Sequence, residues 1–422
     1  MKSVLDQWIK EKHGISDREG IVRWQTEKVK AMFAYICEKS PFYRKRFKDC
    51  ESPRDLESFS KLPFLSDEDL RRDGLKMLCV SQGEIERVVT LQTSGTAGRP
   101  KRLYFTGEDL ELTVDFFCHG MGQIVAPGEK TAVFLPSSAE DSVGKLLLKG
   151  LKRRKVIGYG PGPVEDPQAS LQLLLREHIH AFVGTPLQAL ALAEHAKAEH
   201  VSLNLKNILV STDYLADSVR KRIEDGLECR VFNHFGMTET GLGGALECCC
   251  RKGMHIREND LLMEVIDPSD GKAVPDGKEG ELVLTTLTRK GMPLIRYRTG
   301  DRAVLDHSRC GCGSYLTRIV KTGGRIQGAV SDGKRSVDMA ALDEVLFSID
   351  GLLDYGVEYK RKEQRFLFHL VFLGETGGKI RLARQLLEEQ FMKKDGVEFE
   401  LTWETVESWN PQYKGKRYIR CR

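Results

Sequence analysis

The chain has 422 residues, 41% of them apolar and 30% charged, and its 65 Lys and Arg stand against 61 Asp and Glu for a net charge of +4. That length allows two or three domains around a large core, and the near balance of charge supplies no field for nucleic acid or membrane, so small molecules are the expected partners. There is no apolar signal-peptide core at the N-terminus and no apolar run of about 18 residues, so the expected location is the cytosol; eleven cysteines there suit metal ligands or core thiols better than a disulfide framework.

Val22, Trp24, Val29, Met32, Phe33 and Ile36 fall at helical spacing, which predicts a packed helix within 18–50. Ser66-Asp67-Glu68-Asp69-Leu70 has the N-cap and acidic first turn of another. Val88–Gln92 and Arg102–Thr106 read as strands joined by Thr93-Ser94-Gly95-Thr96-Ala97-Gly98-Arg99-Pro100-Lys101. Two glycines there permit close backbone approach, and three hydroxyls with one ammonium add donors, so the turn suits an anion or polyphosphate. The same composition also suits a plain hairpin loop. Walker A spacing is absent, and Pro100 opposes the helix such a loop requires.

Beyond it, Gly107–Val125 reads as an amphipathic helix. Strands near 131–136, 155–157, 181–183 and 208–210 alternate with helices near 142–153, 167–177 and 186–199. This pattern predicts an α/β fold with a parallel-rich sheet, whose ligands sit outside the carboxyl ends of the strands, as Ser211-Thr212-Asp213 would. Glu228–Asn233 is a strand leading into Phe235-Gly236-Met237-Thr238-Glu239-Thr240-Gly241, where Thr238 could touch a phosphate and Glu239 could hold Mg²⁺; a capping Thr-Glu pair is the plainer reading. From about Leu261 the pattern turns to β, with strands near 263–266, 280–286 and 293–301, the last ending at Asp301 as a ribose-binding carboxylate or a turn residue. A small α+β unit follows Gly324-Arg325: helices 337–349 and 379–393, strands 354–360, 366–373 and 398–406. The last twelve residues are too basic and too punctuated by Gly and Pro to pack as core.

Five motifs in this order, Thr93–Lys101, Phe235–Glu239, Tyr297–Asp301, Gly324-Arg325 and Gly415-Lys416, resemble the adenylate-forming superfamily of acyl-CoA synthetases, luciferases and peptide-synthetase adenylation domains. Ser40–Phe47, Leu62-Pro63-Phe64, Glu247-Cys248, Gly253-Met254-His255 and Cys310-Gly311-Cys312-Gly313 are similar to its phenylacetate-CoA ligase branch. The resemblance covers about 18–422. It implies a large N-terminal domain, 1–323, with a β-rich subdomain, and a small mobile C-terminal domain, 324–422. It also implies two half-reactions: a carboxylic acid, aryl or short acyl, attacks ATP to give an acyl-adenylate, and a thiol, usually coenzyme A, displaces AMP. The roles it implies place Thr93, Ser94, Gly95, Thr96, Gly98 and Lys101 on the leaving phosphates, Thr238 on the α-phosphate and Glu239 on Mg²⁺. Phe235 and Gly236 with Ser211, Thr212 and Asp213 would hold adenine, Asp301 and Arg325 the ribose, and Lys416 the reacting carboxylate. Alternatives are an enzyme that stops at the adenylate or serves a non-CoA acceptor, and a nucleotide-binding protein without turnover; a homodimer is left open.

Three positions depart from that family. Phe235 stands where Tyr is usual, Ile326-Gln327-Gly328 follows the hinge, and Ser137–Asp141 replaces an aromatic, Gly-rich segment, which points away from phenylacetate itself. Cys248, His255, Cys310 and Cys312 form a candidate structural zinc site, with Cys249 or Cys250 as substitutes for Cys248; buried free thiols are the alternative. The polar, Gly-rich sequence around Cys310 and Cys312 makes burial in an apolar core an unexpected fate for them.

Overall fold

Polar caps set where most of the helices begin. In the computed structural model, which describes residues 3–91, 99–326, 330–331, 336–392, 398–409 and 417–421, Asp17 accepts the Gly20 N–H at the start of helix Arg18–Lys39. Ser66 and Asp69 form a reciprocal capping box at Asp67–Asp73, and Thr106 and Asp109 do the same at Gly107–Gly120. Asp166 and Thr185 cap the helices Pro167–Arg176 and Pro186–Ala198, each with proline at its first position. A further helix, Val4–His13, buries Leu5, Trp8 and Ile9 and has no counterpart in the sequence-based reading.

The chain divides into two compact units. The first comprises Met1–Gln123, Lys149–Arg154 and His234–Thr322. It holds the antiparallel hairpin Ile85–Leu91 and Lys101–Thr106, with Leu91 opposite Lys101, so the segment between them leaves and re-enters at adjacent positions, as expected. It also holds the antiparallel strands Leu261–Ile266, Glu279–Thr286, Tyr297–Asp306, Arg318–Arg325 as far as Thr322, Met254–Ile256 and Ala245–Glu247, hydrogen-bonded in that order. The strand expected at 293–301 instead begins at Tyr297 and runs to Asp306, so Asp301 lies within a strand and not at its end. Gly300 just before it takes φ +72°, opposite an irregularity in register between Glu281 and Val283.

The second unit comprises Ile124–Leu148, Lys155–Asn233 and Gly323–Arg422. Its parallel strands Ile157–Tyr159, Lys130–Val133, Ala181–Gly184, Asn207–Val210 and Arg230–Phe235, the last as far as Asn233, are hydrogen-bonded in that order, and the intervening helices supply the crossovers that parallel pairing requires. The strand expected at 155–157 is displaced because Lys155 adopts φ +61°, outside the β region. Helix Asp217–Leu227 packs on Pro186–Ala198 at Gly226, where a Cβ would stand 3.1 Å from the Ala193 side chain and carbonyl. The C-terminal part forms its own four-stranded sheet, ordered Glu398–Val406, Arg365–Leu373, Leu352–Lys360 and Arg420–Cys421, with helices Met339–Leu346 and Lys379–Leu387.

The tail departs from expectation. Ile419 is buried and Arg420–Cys421 pairs in parallel with Leu352–Lys360. Arg417 donates to Asp343 Oδ1 at 2.6 Å and lies over the rings of Tyr355 and Phe347. A basic side chain packs here because a buried carboxylate and two π faces receive it.

Candidate functional site

Thr93, Ser94, Gly95, Thr96 and Gly98 lie within Gln92–Gly98, and Lys416 within 410–416, outside the described residues. What holds the exit of the first of these segments is described. Helix Asp67–Asp73 presents Arg71, which donates to the Arg99 carbonyl at 2.8 Å and pairs with Asp67 Oδ2 at 3.3 Å. Asp67 Oδ1 in turn accepts from Lys101 Nζ at 2.8 Å.

Lys101 does not extend into solvent. It is 4% exposed, and its ammonium spends all three donors on Asp67, on Tyr297 Oη at 3.0 Å, and on Glu239 Oε1. Tyr297 donates its own proton to Asp67 Oδ1. Glu239 is 3% exposed. Two carboxylates and a phenol thus compensate one buried cation, which satisfies the rule that buried charge must be paired and hydrogen-bonded. Burial pushes the Asp67 carboxyl up, but the Lys101 ammonium and the Tyr297 hydroxyl outweigh it and hold Asp67 below its ordinary value.

Glu239 arrives on a tight turn after the strand Arg230–Phe235. Thr238–Thr240 is a single 3₁₀ turn closed by Gly241 at φ +73°, with Gly241 N donating to Thr238 O and Leu242 N to Met237 O. Gly236 is needed for space: a Cβ there would meet the Leu242 carbonyl at 2.3 Å. Glu239 Oε2 has no hydrogen-bond partner among the described residues, and the Thr238 hydroxyl is half-buried beside it in sequence. A free carboxylate oxygen with a neighbouring hydroxyl is a hard-oxygen donor set that fits Mg²⁺, which retains waters and phosphate oxygens for its other positions. Asp301 is buried in the same unit, its N–H donating to Thr299 Oγ1 at 3.1 Å. Ser211, Thr212 and Asp213 belong to the second unit, just past the carboxyl end of Asn207–Val210, with Thr212 at φ +78°. Arg325 ends its strand and belongs to that unit as well. Asp67, Arg71 and Tyr297 were not singled out from sequence; Asp67 read as an ordinary acidic first-turn residue, and Tyr297 only as the start of a motif.

The four expected metal ligands do converge. Cys248 follows the strand Ala245–Glu247, His255 sits in Met254–Ile256, and Cys310 and Cys312 lie in the loop between Tyr297–Asp306 and Arg318–Arg325. Their ligand atoms all lie within 4.8 Å of one another, with Cys248 Sγ to Cys310 Sγ at 3.7 Å and Cys312 Sγ to His255 Nε2 at 3.5 Å. A tetrahedral zinc with its usual bond lengths sets S···S at about 3.8 Å and S···N at about 3.6 Å, so the donor set fits that ion. All four are buried, against the expectation for so polar a loop, because the thiols pack on one another. Burial pushes the Cys248 thiol up and the Cys312 thiol up to about 11, and it lowers His255, which favours the neutral imidazole. Cys310 is lowered because hydrogen bonds from Cys312 and Cys248 outweigh its burial. Of the substitutes for Cys248, Cys249 is exposed and Cys250 is half-buried at the edge of the cluster.

Comparison with known proteins extends this picture. Residues 54–287 match the AMP-binding enzyme family. The chain is 32% identical over 316 residues to the phenylacetate-coenzyme A ligase of Thermus thermophilus, covering 72% of this chain and 69% of that protein. It is 29% identical over 317 residues to the enzyme of the same name from Pseudomonas putida, covering 71% and 70%. In fold it is similar to a 2-hydroxyisobutyryl-CoA ligase solved in the postadenylation state, with a TM-score of 0.81 at 21% identity over 96% of this chain and 89% of that one.

Asp67→Asn should lower stability at pH 7 by about 1–2 kcal/mol, the range for a charge-assisted contact discounted for the partial exposure of Asp67. A depressed carboxyl contributes stability above its unfolded value of 3.8 and loses it as the pH falls. Denaturant unfolding of the two proteins should therefore begin to converge as the pH falls below about 4 and coincide only once the pH is below the depressed folded value of Asp67.

Proposed function

The chain belongs to the AMP-binding enzyme family, and on that premise we propose that it activates a carboxylic acid with ATP and transfers the acyl group to coenzyme A. The observation that carries this reading is the meeting of Lys101 and Glu239, 138 residues apart, in one buried cluster at the exit of the Thr93–Gly98 segment. In the first half-reaction a substrate carboxylate oxygen attacks the α-phosphorus of ATP, the bond to the β-phosphate breaks, and pyrophosphate leaves. Lys101 and the donors of Thr93, Ser94, Gly95, Thr96 and Gly98 neutralise the departing phosphates, and Thr238 orients the α-phosphate. Mg²⁺ held by Glu239 would offset charge in this displacement. Phe235 stacks on adenine with Gly236 at its edge, Ser211, Thr212 and Asp213 complete the base site, and Asp301 and Arg325 hold the ribose.

Lys416 bridges the reacting carboxylate and the α-phosphate. It belongs to a C-terminal domain, 324–422, that moves relative to 1–323 before the thiol displaces AMP. Support for coenzyme A as acceptor comes from the relatives named as coenzyme A ligases. Ser137–Asp141 in place of an aromatic segment favours an aryl or short acyl acid other than phenylacetate. Transfer to another acceptor is the second reading, favoured by the unusual sequence Ile326-Gln327-Gly328 after the hinge. No helix among the described residues is long and apolar enough to cross a membrane, and the location proposed is the cytosol.

Acid-dependent exchange of labelled pyrophosphate into ATP, across aromatic and short-chain acids, tests the first half-reaction, and AMP release with and without coenzyme A tests the second. Lys416→Ala should slow exchange about 10²–10³-fold, the cost of one contact aimed at developing negative charge, while thioester formation from a supplied acyl-adenylate survives. Exchange unchanged in both Lys416→Ala and Glu239→Ala would refute the catalytic assignment.

Cys248, His255, Cys310 and Cys312 are assigned to a structural zinc that ties the chain leaving the Glu239 turn to the loop before Arg318–Arg325. Metal analysis of untagged protein should find about one zinc per chain, lost with thermal stability in Cys310→Ser. Fully active, metal-free protein would exclude it.

A further inference from the structure

The turn that carries Thr238 and Glu239 closes on itself at its start, where Met237 N donates to Thr240 Oγ1 and Thr240 Oγ1 donates to Met237 O. Met237 O accepts from the backbone of Thr240 and Leu242, and Thr238 O from Gly241 N. The next three carbonyls have no backbone donor among the described residues. Glu239 O accepts from Arg289 Nη2 at 2.7 Å, Thr240 O from Arg257 Nη2 at 2.8 Å, and Gly241 O from Thr113 Oγ1 at 2.7 Å. Three side chains, from helix Gly107–Gly120, from the residue after strand Met254–Ile256, and from the loop after Glu279–Thr286, thus take three successive carbonyls. They converge on Gly241, whose Cβ would lie 3.4 Å from each guanidinium and 3.5 Å from the Thr113 hydroxyl.

Stability alone does not account for this arrangement. Arg257 and Arg289 are 3% and 5% exposed, and neither has a carboxylate within 4.0 Å among the described residues. Arg257 Nε and Arg289 Nη1 are buried donors with no hydrogen-bond partner among the described residues. Burial lowers both guanidinium values, that of Arg289 to about 10, with Asp109 the leading opposing charge for Arg289 and Asp260 for Arg257. Apolar residues of similar volume would normally serve a core better. Each guanidinium is nevertheless held in place: Arg257 lies over the Phe116 ring and also donates to Leu112 O at 3.3 Å, and Arg289 lies over Phe105. Asp109 accepts from Lys290 N and Gly291 N, which fixes the loop bearing Arg289.

We propose that Arg257 and Arg289, with Thr113, are positioning residues for the nucleotide and metal turn. By holding the carbonyls of 239–241 they set the backbone from which the Thr238 hydroxyl and the Glu239 carboxylate project, and so fix Glu239 Oε2 while Oε1 is held by Lys101. This rests on the reading of Glu239 as the Mg²⁺ ligand.

The test uses Arg289→Met, Arg257→Met and Thr113→Val in the full chain, with Arg→Lys at both arginines for rescue. Mn²⁺ binding in the presence of a non-cleavable ATP analogue, followed by electron paramagnetic resonance, should weaken about 10–100-fold, the usual effect of losing a partner that orients a metal ligand. Adenylation should slow in parallel, thioester formation from supplied adenylate should hold, and the lysine variants should recover part of the affinity. Reduced thermal stability with unchanged metal affinity per folded molecule, or equal loss of both half-reactions, would overturn the proposal. Thr113→Val removes one of the three donors at nearly constant volume and decides the matter if the arginine variants do not fold. Glu239→Gln separates the two readings. Normal Mn²⁺ affinity in that variant removes the ligand assignment itself, whereas weakened affinity there with unaltered affinity in the three others removes only this inference.

Discussion

The ammonium of Lys101 is the constraint on which the first unit depends. A lysine excluded from water must find acceptors for three N–H groups or give up its charge, and here it finds Asp67, Tyr297 and Glu239. Those partners come from a short helix, a strand of the antiparallel sheet and a 3₁₀ turn. One charge therefore fixes three elements relative to the hairpin strand that carries it. Because Asp67 also pairs with Arg71, and Arg71 holds the Arg99 carbonyl, the same network reaches the point where the Thr93–Gly98 segment returns to the hairpin.

Around this charge the unit spends polar side chains on backbone, which is how short irregular segments become rigid. Trp24 and Gln25 donate to carbonyls of 258, 259 and 261. Tyr43 donates to Pro293 O and Arg296 to Leu62 O. Buried carbonyls outside regular ladders need such donors. The turn at Glu239 is the extreme case, since a single 3₁₀ turn leaves the carbonyls of 239–241 without a backbone donor among the described residues. Glycines complete the arrangement where a side chain would collide, as at Gly236, or where the backbone must turn left-handed, as at Gly241.

The cysteine and histidine cluster plays a comparable part with softer ligands. His255 lies opposite Arg318 in the pairing of Met254–Ile256 with Arg318–Arg325, so sheet register brings the imidazole close to the loop that carries Cys310 and Cys312. Gly313 at φ +86° and the bond from Gly313 N to Cys310 O turn that loop back on itself. Sheet register and loop geometry together preorganise four donors at spacings suited to a tetrahedral ion.

The amino-acid sequence by itself determined the local elements and their order. Capping residues, proline at first helical positions, alternating strands and helices, and the hairpin around Thr93–Lys101 all follow from interactions within a few residues, so they are legible without a structure. The motifs were legible in the same way, as was the set Cys248, His255, Cys310 and Cys312, because residue type and order carry them. What only the tertiary structure decided is which charges and carbonyls meet. Nothing near Asp67 in the sequence distinguishes it from Glu68, and only the fold delivers Lys101 and Tyr297 to one of them. Arg257 and Arg289 likewise sit in sequence that reads as ordinary charged loop, and the tail containing Arg417 looked solvated until Asp343, Tyr355 and Phe347 were in place to receive it. The physical reason is common to all three: a buried charge is stable only with partners, and partners separated by tens to hundreds of residues are chosen by packing and not by local sequence.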